Sequence, residues 1–221
     1  MRAFVINLKS RPDRWQRMKR IFDGSDIKIS RIDAVRAADP HLGVLKSFLK
    51  ALRKARTLGL ENVLLLEDDC MPTAGWKARW PKVRSWLDEN PDKWDLYSGG
   101  NWAIWFPHEV GRIDDIRFYD PVYSLAAHWL YVPQRSYEFL IDYYSRIVTL
   151  APVLPLVGID HHNNLFKMVI SEPFMAYQKS DFSNTKHTYR NTERMFSQAE
   201  RNVRRTRRAR SPLSWVGFAS R

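Results

Sequence analysis

Cysteine is almost missing from this chain. Cys70 is the single one among 221 residues, which excludes an internal disulfide framework and a multi-cysteine zinc site. Long apolar runs are missing too: no stretch of about 18 apolar residues exists, so no helix is expected to span a membrane. The opening apolar stretch covers only Ala3–Ile6 before Asn7 and Lys9 interrupt it, which is too short for a secretory signal. No internal repeat is visible. A cytoplasmic protein is therefore expected, with no obligate protein partner implied.

Against these absences stand nine Trp, nine Tyr and eleven Phe, with 44% hydrophobic residues overall. Such a composition excludes disorder for most of the chain and supports one sizeable core. The formal charge of +12 is unevenly spread. Residues 1–60 hold 15 Lys+Arg against 5 Asp+Glu, net +10; residues 61–180 hold 11 against 16, net −5; residues 181–221 hold 10 against 3, net +7. Two basic ends around an acidic middle suit a protein that handles an anion with the first and a metal cation with the second. A solvated basic surface that merely maintains solubility is the plain alternative.

Hydrophobic periodicity gives the organisation. Ala3–Ile6 reads as a buried strand; Pro12 opens a helix carrying Trp15, Met18 and Phe22; and Ile27, Ile29 and Ile32 suggest a second strand. Leu45, Phe48, Leu49, Leu52 and Ala55 share one face of a helix stopped near Gly59. Val63–Leu66 is the continuous apolar run of a central parallel strand. This alternation predicts an α/β fold, a single Rossmann-like domain with a central, mostly parallel sheet flanked by helices. Further on, Trp94–Tyr97 and Ala126–Val132 read as strands, Phe106–Pro121 as a polar loop, and Tyr137–Leu150 as a helix. The domain is expected to occupy residues 1–190, and the Arg-rich residues 191–221 a basic arm or extra helix.

Chemistry concentrates where Leu64-Leu65-Leu66 runs into Glu67-Asp68-Asp69. Three carboxylates at the C-terminal end of a core strand lie where open α/β sheets bind ligands. Their mutual repulsion calls for a hard cation, Mn²⁺ or Mg²⁺, which in turn would hold a diphosphate. The alternative is a solvated acidic turn. A second strand-to-helix junction, Asn7-Leu8-Lys9-Ser10-Arg11-Pro12-Asp13-Arg14, offers backbone N–H groups and three cations to phosphate. Asp160 follows an apolar run and is the first choice for a general base, with a helix N-cap as the alternative. His161 and His162 are neighbours about 100° apart on a helix, so a helix-start pair explains them better than one shared ion. Gly99-Gly100-Asn101-Trp102 would admit a close substrate approach or form a turn. Trp102, Trp105 and Phe106 could stack on a sugar or base, or belong to the core.

Taken together these residues resemble glycosyltransferase family 25, which includes lipopolysaccharide and collagen galactosyltransferases. The likeness runs from Phe4 to about Thr185. It rests on Phe4–Arg14, on Asp33-Ala34-Val35, on the helix Gly43–Leu52, and above all on the "LEDD" element within Val63–Asp69. Trp94-Asp95-Leu96, Ala127–Val132, Gly158-Ile159-Asp160 and the closing Gln178, Ser180, Asp181 follow in order. In the Gly43–Leu52 helix Ser47 matches, while Phe48 stands where the family has histidine and no cysteine precedes it. The resemblance implies a GT-A fold, an inverting transfer, a UDP-sugar or other nucleotide-sugar donor and a divalent metal. The chemistry of such a transfer places the metal on Asp69, helped by Glu67 or Asp68, with His187, beyond Ser180-Asp181, able to complete the shell; the catalytic base falls to Asp160, which also matches the family aspartate. Donor binding falls to Asn7, Leu8, Lys9, Arg11, Arg14, Asp33, Ala34 and Ser47, and acceptor binding to Gly100, Asn101, Trp102 and Asp181.

For the acceptor, the charged ends narrowly favour a hydroxymethylated pyrimidine in DNA, salt-sensitive and flipped from its stack. The rival is a saccharide, as in lipopolysaccharide biosynthesis, with the Arg201–Arg210 arm making peripheral membrane contact. A metal-dependent nuclease or nucleotidyltransferase, or a non-catalytic nucleic-acid-binding module, ranks below both.

Overall fold

In the computed structural model the first half of the chain alternates as its periodicity predicts: β1 (Arg2–Asn7), α1 (Pro12–Phe22), β2 (Lys28–Asp33), α2 (Pro40–Thr57) and β3 (Asn62–Glu67). Then follow β4 (Cys70–Pro72), α3 (Trp76–Glu89), β5 (Leu96–Ser98), β6 (Ala103–Ile113), β7 (Ile116–Leu125), β8 (Trp129–Pro133) and α4 (Tyr137–Leu150). The remainder comprises α5 (Ile159–Asn163), β9 (Met168–Glu172), β10 (Ala176–Gln178), β11 (Phe182–Ser183), β12 (Thr188–Tyr189) and α6 (Thr192–Ala209). The structure describes residues 1–151, 153, 158–180, 182–183, 188–189 and 191–209.

Eight strands form one sheet in the order β2-β1-β3-β8-β5-β9-β7-β6. β1, β2, β3, β5, β6 and β9 share a direction, and β7 and β8 oppose it. The fold is thus α/β, with a mixed central sheet covered on both faces. Alternation along β1 and β3 explains the continuous apolar runs. Ala3, Val5, Leu64 and Leu66 face a core shared with Met18, Trp80 and Trp86 of α1 and α3. Phe4, Ile6, Val63 and Leu65 face the other, shared with Phe48, Leu52 and Leu140 of α2 and α4.

Local signals set several boundaries. Asp39 caps α2, its side chain accepting from the His41 and Leu42 N–H groups, with Pro40 in the first turn. The α4 helix has the predicted bounds. The Phe106–Pro121 stretch is a correction: it lies in the β6–β7 hairpin at the sheet edge, not in a loop. β6 is the edge strand and exposes one side to water, so it carries polar residues, whereas β7 lies inside it, between β9 and β6; Pro107 and Pro121 stand opposite each other without breaking the ladder. Helix α6 packs onto the sheet through Phe196, Ala199 and Val203, so it is part of the core. Among the described residues no helix is long and apolar enough to cross a membrane.

Candidate active site

Parallel pairing brings three strand ends to one level. Ile6 pairs with Glu67 and Asn7 with Asp33, so the loops after β1, β2 and β3 leave the sheet together. The acidic run after β3 then divides its labour. Asp68 turns inward and is buried: its Oδ1 accepts from Arg14 Nη1 at 2.8 Å and its Oδ2 from Asn7 Nδ2 at 2.7 Å. Arg17 donates to the Asp68 carbonyl at 3.0 Å. Asp68 is therefore held by α1 and β1, and it locks the first strand-to-helix junction onto β3.

Asp69 and Glu67 are left to the site. Asp69 Oδ2 lies 4.0 Å from Arg14 Nη1, while its Oδ1 is buried with no hydrogen-bond partner among the described residues. Burial and the neighbouring Asp68 charge push the Asp69 carboxyl up to about 6, against the opposing pull of Arg14 and Arg17. Glu67 accepts from Gln178 Nε2 at 2.9 Å across 111 residues of sequence. Burial, then the charges of Asp69, Asp160 and Asp68, raise its carboxyl well above the usual carboxylate range. Asp160 thus lies within electrostatic reach of Glu67, although 93 residues separate them in the chain.

Asp160 sits in the first turn of α5, whose N-cap is Gly158, and no side chain caps this helix. The cap role is not used, which leaves the carboxylate for other work. The two histidines diverge: His161 bonds the Tyr123 hydroxyl, and His162 Nδ1 lies 3.0 Å from the Tyr143 hydroxyl.

Other residues singled out from sequence take various places. Ser47 is buried; its hydroxyl donates to the Gly43 carbonyl at 2.7 Å and accepts from Val35 N–H at 2.8 Å. It ties the segment after β2 to α2, and Gly43 permits the approach, because a Cβ there would meet the Val35 carbonyl at 2.7 Å. Ala34 N–H donates to the Asn7 carbonyl, and Arg11 N–H to the Leu8 carbonyl. Lys9 is exposed and lies 3.4 Å from Asp33; Arg11 pairs with Asp13 at 2.8 Å. Gly100 presses on β10, where a Cβ would collide with the Ala176 carbonyl oxygen. Asn101 is fully buried with neither amide atom partnered among the described residues, and Trp102 packs against Ala126, Phe174 and Phe196. Asp181 and His187 lie outside the described residues.

Sequence reading passed over His128. It is fully buried, its carbonyl accepts from the Glu67 N–H at 3.1 Å, and its ring stands edge-on to Phe196. Neither ring nitrogen has a hydrogen-bond partner among the described residues, and burial pushes the imidazole down to about 3, the Ala176 backbone opposing. A polar residue directly before the apolar run Trp129–Val132 was the only signal.

Among the described residues, no group of three or more His, Cys, Asp or Glu side chains is arranged to hold a metal ion. The donor set that remains, Asp69 with Glu67, nevertheless fits a Mg²⁺-like ion. Such ions take one or two protein carboxylates and complete their shell with water and substrate phosphate. The orphaned, buried Asp69 oxygen lacks just such a partner.

No family model matches the chain, and no curated protein matches it. Among solved structures, it is similar to A197 from STIV, at 11% identity and a TM-score of 0.47, covering 85% of this chain and 91% of that one. It is similar as well to a glycosyltransferase involved in glycosylation of the major capsid of PBCV-1, at 10% identity and 0.43, covering 70% and 67%. A third is mannose-1-phosphate geranyltransferase from Thermus thermophilus, at 10% identity and 0.42, covering 76% and 57%. Likenesses this distant assign no activity, which has to be argued from the chain's own site.

Proposed function

We propose that the protein transfers a sugar from a nucleotide-sugar donor, a UDP-sugar foremost, to an acceptor hydroxyl at the carboxylate-lined edge of its sheet. The observation that carries this reading is the pair of acids at the end of β3, Glu67 held by Gln178 at 2.9 Å and Asp69 with a buried Oδ1 that has no partner among the described residues, with the charge of Asp160, 93 residues on, acting on Glu67. Asp69 and Glu67 would hold a divalent cation, while Asp68 serves Arg14. Such an ion, when bound, neutralises charge developing on a leaving diphosphate. Lys9, Arg11 and the first turn of α1 offer positive charge and backbone N–H groups to the donor phosphates. Asp160, half-buried and not used as a cap, accepts the proton of the attacking hydroxyl as the anomeric carbon gains oxocarbenium character.

For the acceptor, charge placement supports a saccharide hydroxyl over a DNA base. Arg194, Arg201 and Arg205 recur at helical spacing on the exposed side of α6, opposite the buried Phe196, Ala199 and Val203. They face away from the sheet. The stretches that carry Trp105, Tyr123 and Asp160, residues 102–111, 118–134 and 158–166, contain no Lys or Arg, and the adjoining Arg117 is paired with Glu109 at 2.6 Å.

The test is a transfer assay with Mn²⁺, labelled UDP-sugars, and two acceptor sets: oligosaccharides and hydroxymethylated duplex DNA. Asp69→Ala is expected to abolish transfer with an unchanged circular dichroism spectrum. Asp160→Asn should lower turnover about 10²–10⁴-fold, the usual worth of a general base, with donor affinity nearly unchanged. Full turnover in Asp69→Ala with normal metal dependence would overturn the assignment. Label on modified DNA alone would replace the saccharide by the base.

A further inference from the structure

Three rings form a continuous row on the surface beside Asp160. Trp105 of β6 stands opposite Tyr123 of β7, with ring centroids 5.2 Å apart. Tyr123 in turn lies 5.8 Å from the His161 ring and bonds its Nδ1. Asp160 precedes His161, and its charge, after burial, is what raises the Tyr123 hydroxyl. The row therefore leads from open solvent to the carboxylate read above as the base.

Around it the hairpin exposes apolar surface that no described part of the chain covers. Trp105 is 44% exposed, and Phe106 and Val122, which alternate with Trp105 and Tyr123 along the two strands, are 76% and 71% exposed. Phe106 has φ +49°, a left-handed conformation unusual for a bulky residue, and such outliers gather where function demands them. Isolated exposed apolar residues need no explanation, but a row of three rings ending at the helix that carries Asp160 does.

We propose that Trp105 and Tyr123, with His161 at the inner end, form a stacking platform for a neutral pyranose ring of the acceptor. The platform rests on the glycosyltransferase reading. It adds to that reading the binding surface and the ring chemistry. A pyranose presents one face of C–H bonds, which packs on an indole, and an edge of hydroxyls, which here would point toward Asp160. Charge decides between rings. A nucleotide brings a phosphate on either side, and aromatic platforms for nucleic acid lie in positively charged grooves. Here Glu109 is paired with Arg117 at 2.6 Å and Lys167 acts on Asp120, so the charge left beside the row is that of Asp160, and no basic groove follows the rings among the described residues. A polyanion would find little there to hold its phosphates, and an uncharged sugar needs no such groove.

The platform is tested by ligand-observed saturation-transfer NMR on the full chain. The probes are methyl glucopyranosides and galactopyranosides, with hydroxymethyldeoxycytidine in parallel. Wild type should transfer saturation to the ring C–H protons of at least one pyranoside. Trp105→Ala should lose that signal with an unchanged melting temperature, and Trp105→Phe should keep most of it. In transfer assays Trp105→Ala should raise the acceptor KM about ten-fold with donor KM unmoved, the scale expected for an aromatic contact. Equal signals in wild type and Trp105→Ala, or none from any pyranoside, would overturn the platform. Signals from the nucleoside alone would overturn it in favour of a base. Titration with UDP-sugar separates the two readings. Donor binding without pyranoside signals sinks the platform alone, whereas pyranoside signals without donor binding sink the transferase and leave a sugar-binding surface.

Discussion

Replacing Arg14 by Met should unfold the protein at a markedly lower temperature, with or without Mn²⁺. Arg14 and Asp68 side chains are only 8% and 11% exposed and meet at 2.8 Å. Burial works against the Arg14 charge, and the Asp68 and Asp69 charges more than offset it. Methionine keeps the aliphatic stem and removes the charge, leaving Asn7 as the side-chain donor to Asp68 among the described residues. Breaking one side of a buried pair costs about 3–5 kcal/mol, chiefly because the other charge stays buried. For a chain of this size each kcal/mol lowers Tm by about 2–4 °C, so a fall of about 6–20 °C is expected. The double variant Arg14→Met/Asp68→Asn removes both charges and should recover more than half of the loss. The assay is thermal circular dichroism at neutral pH, in EDTA and again in Mn²⁺. A fall under about 3 °C, a few degrees being the worth of a single kcal/mol, would refute the buried lock. A fall seen only without metal would refute it too, and return Asp68 to the ligand shell.

Two further outcomes follow from burial. His128 is held neutral because burial depresses its imidazole to about 3, whereas in the unfolded chain it takes a proton below its ordinary 6.5. The unfolded state alone gains protons as pH falls through that window, so this residue should remove about 2 kcal/mol of stability between pH 7 and pH 5. Urea unfolding of wild type and His128→Leu at both pH values checks it; the difference between the two proteins should carry that slope, and parallel behaviour would refute it. Gly100→Ala should lower Tm by several degrees, since its Cβ would collide with the Ala176 carbonyl oxygen and force the end of β5 away from β10. An unchanged melt would mean that β10 yields freely.

Much of the architecture is written in short-range pattern. The apolar runs Ala3–Ile6 and Val63–Leu66, the amphipathic stripe from Leu45 to Ala55 and the bounds of α4 are legible because burial on two faces, or on one, leaves its period in consecutive residues. The strand-end position of Glu67-Asp68-Asp69 is legible for the same reason. Only the tertiary structure decides what each carboxylate does. Asp68 meets Arg14 across 54 residues, Glu67 meets Gln178 across 111, and Asp160 acts on Glu67 from a helix that no local signal ties to β3. Partnership of this kind depends on which strand lies beside which, and identical acidic neighbours in sequence leave it open. The β6–β7 hairpin escaped for a related reason: β6, at the edge, loses the apolar alternation of a covered strand, and Asp120 and Pro121 interrupt the pattern of β7, so Trp105 and Tyr123 become a pair only once the ladder between them has formed.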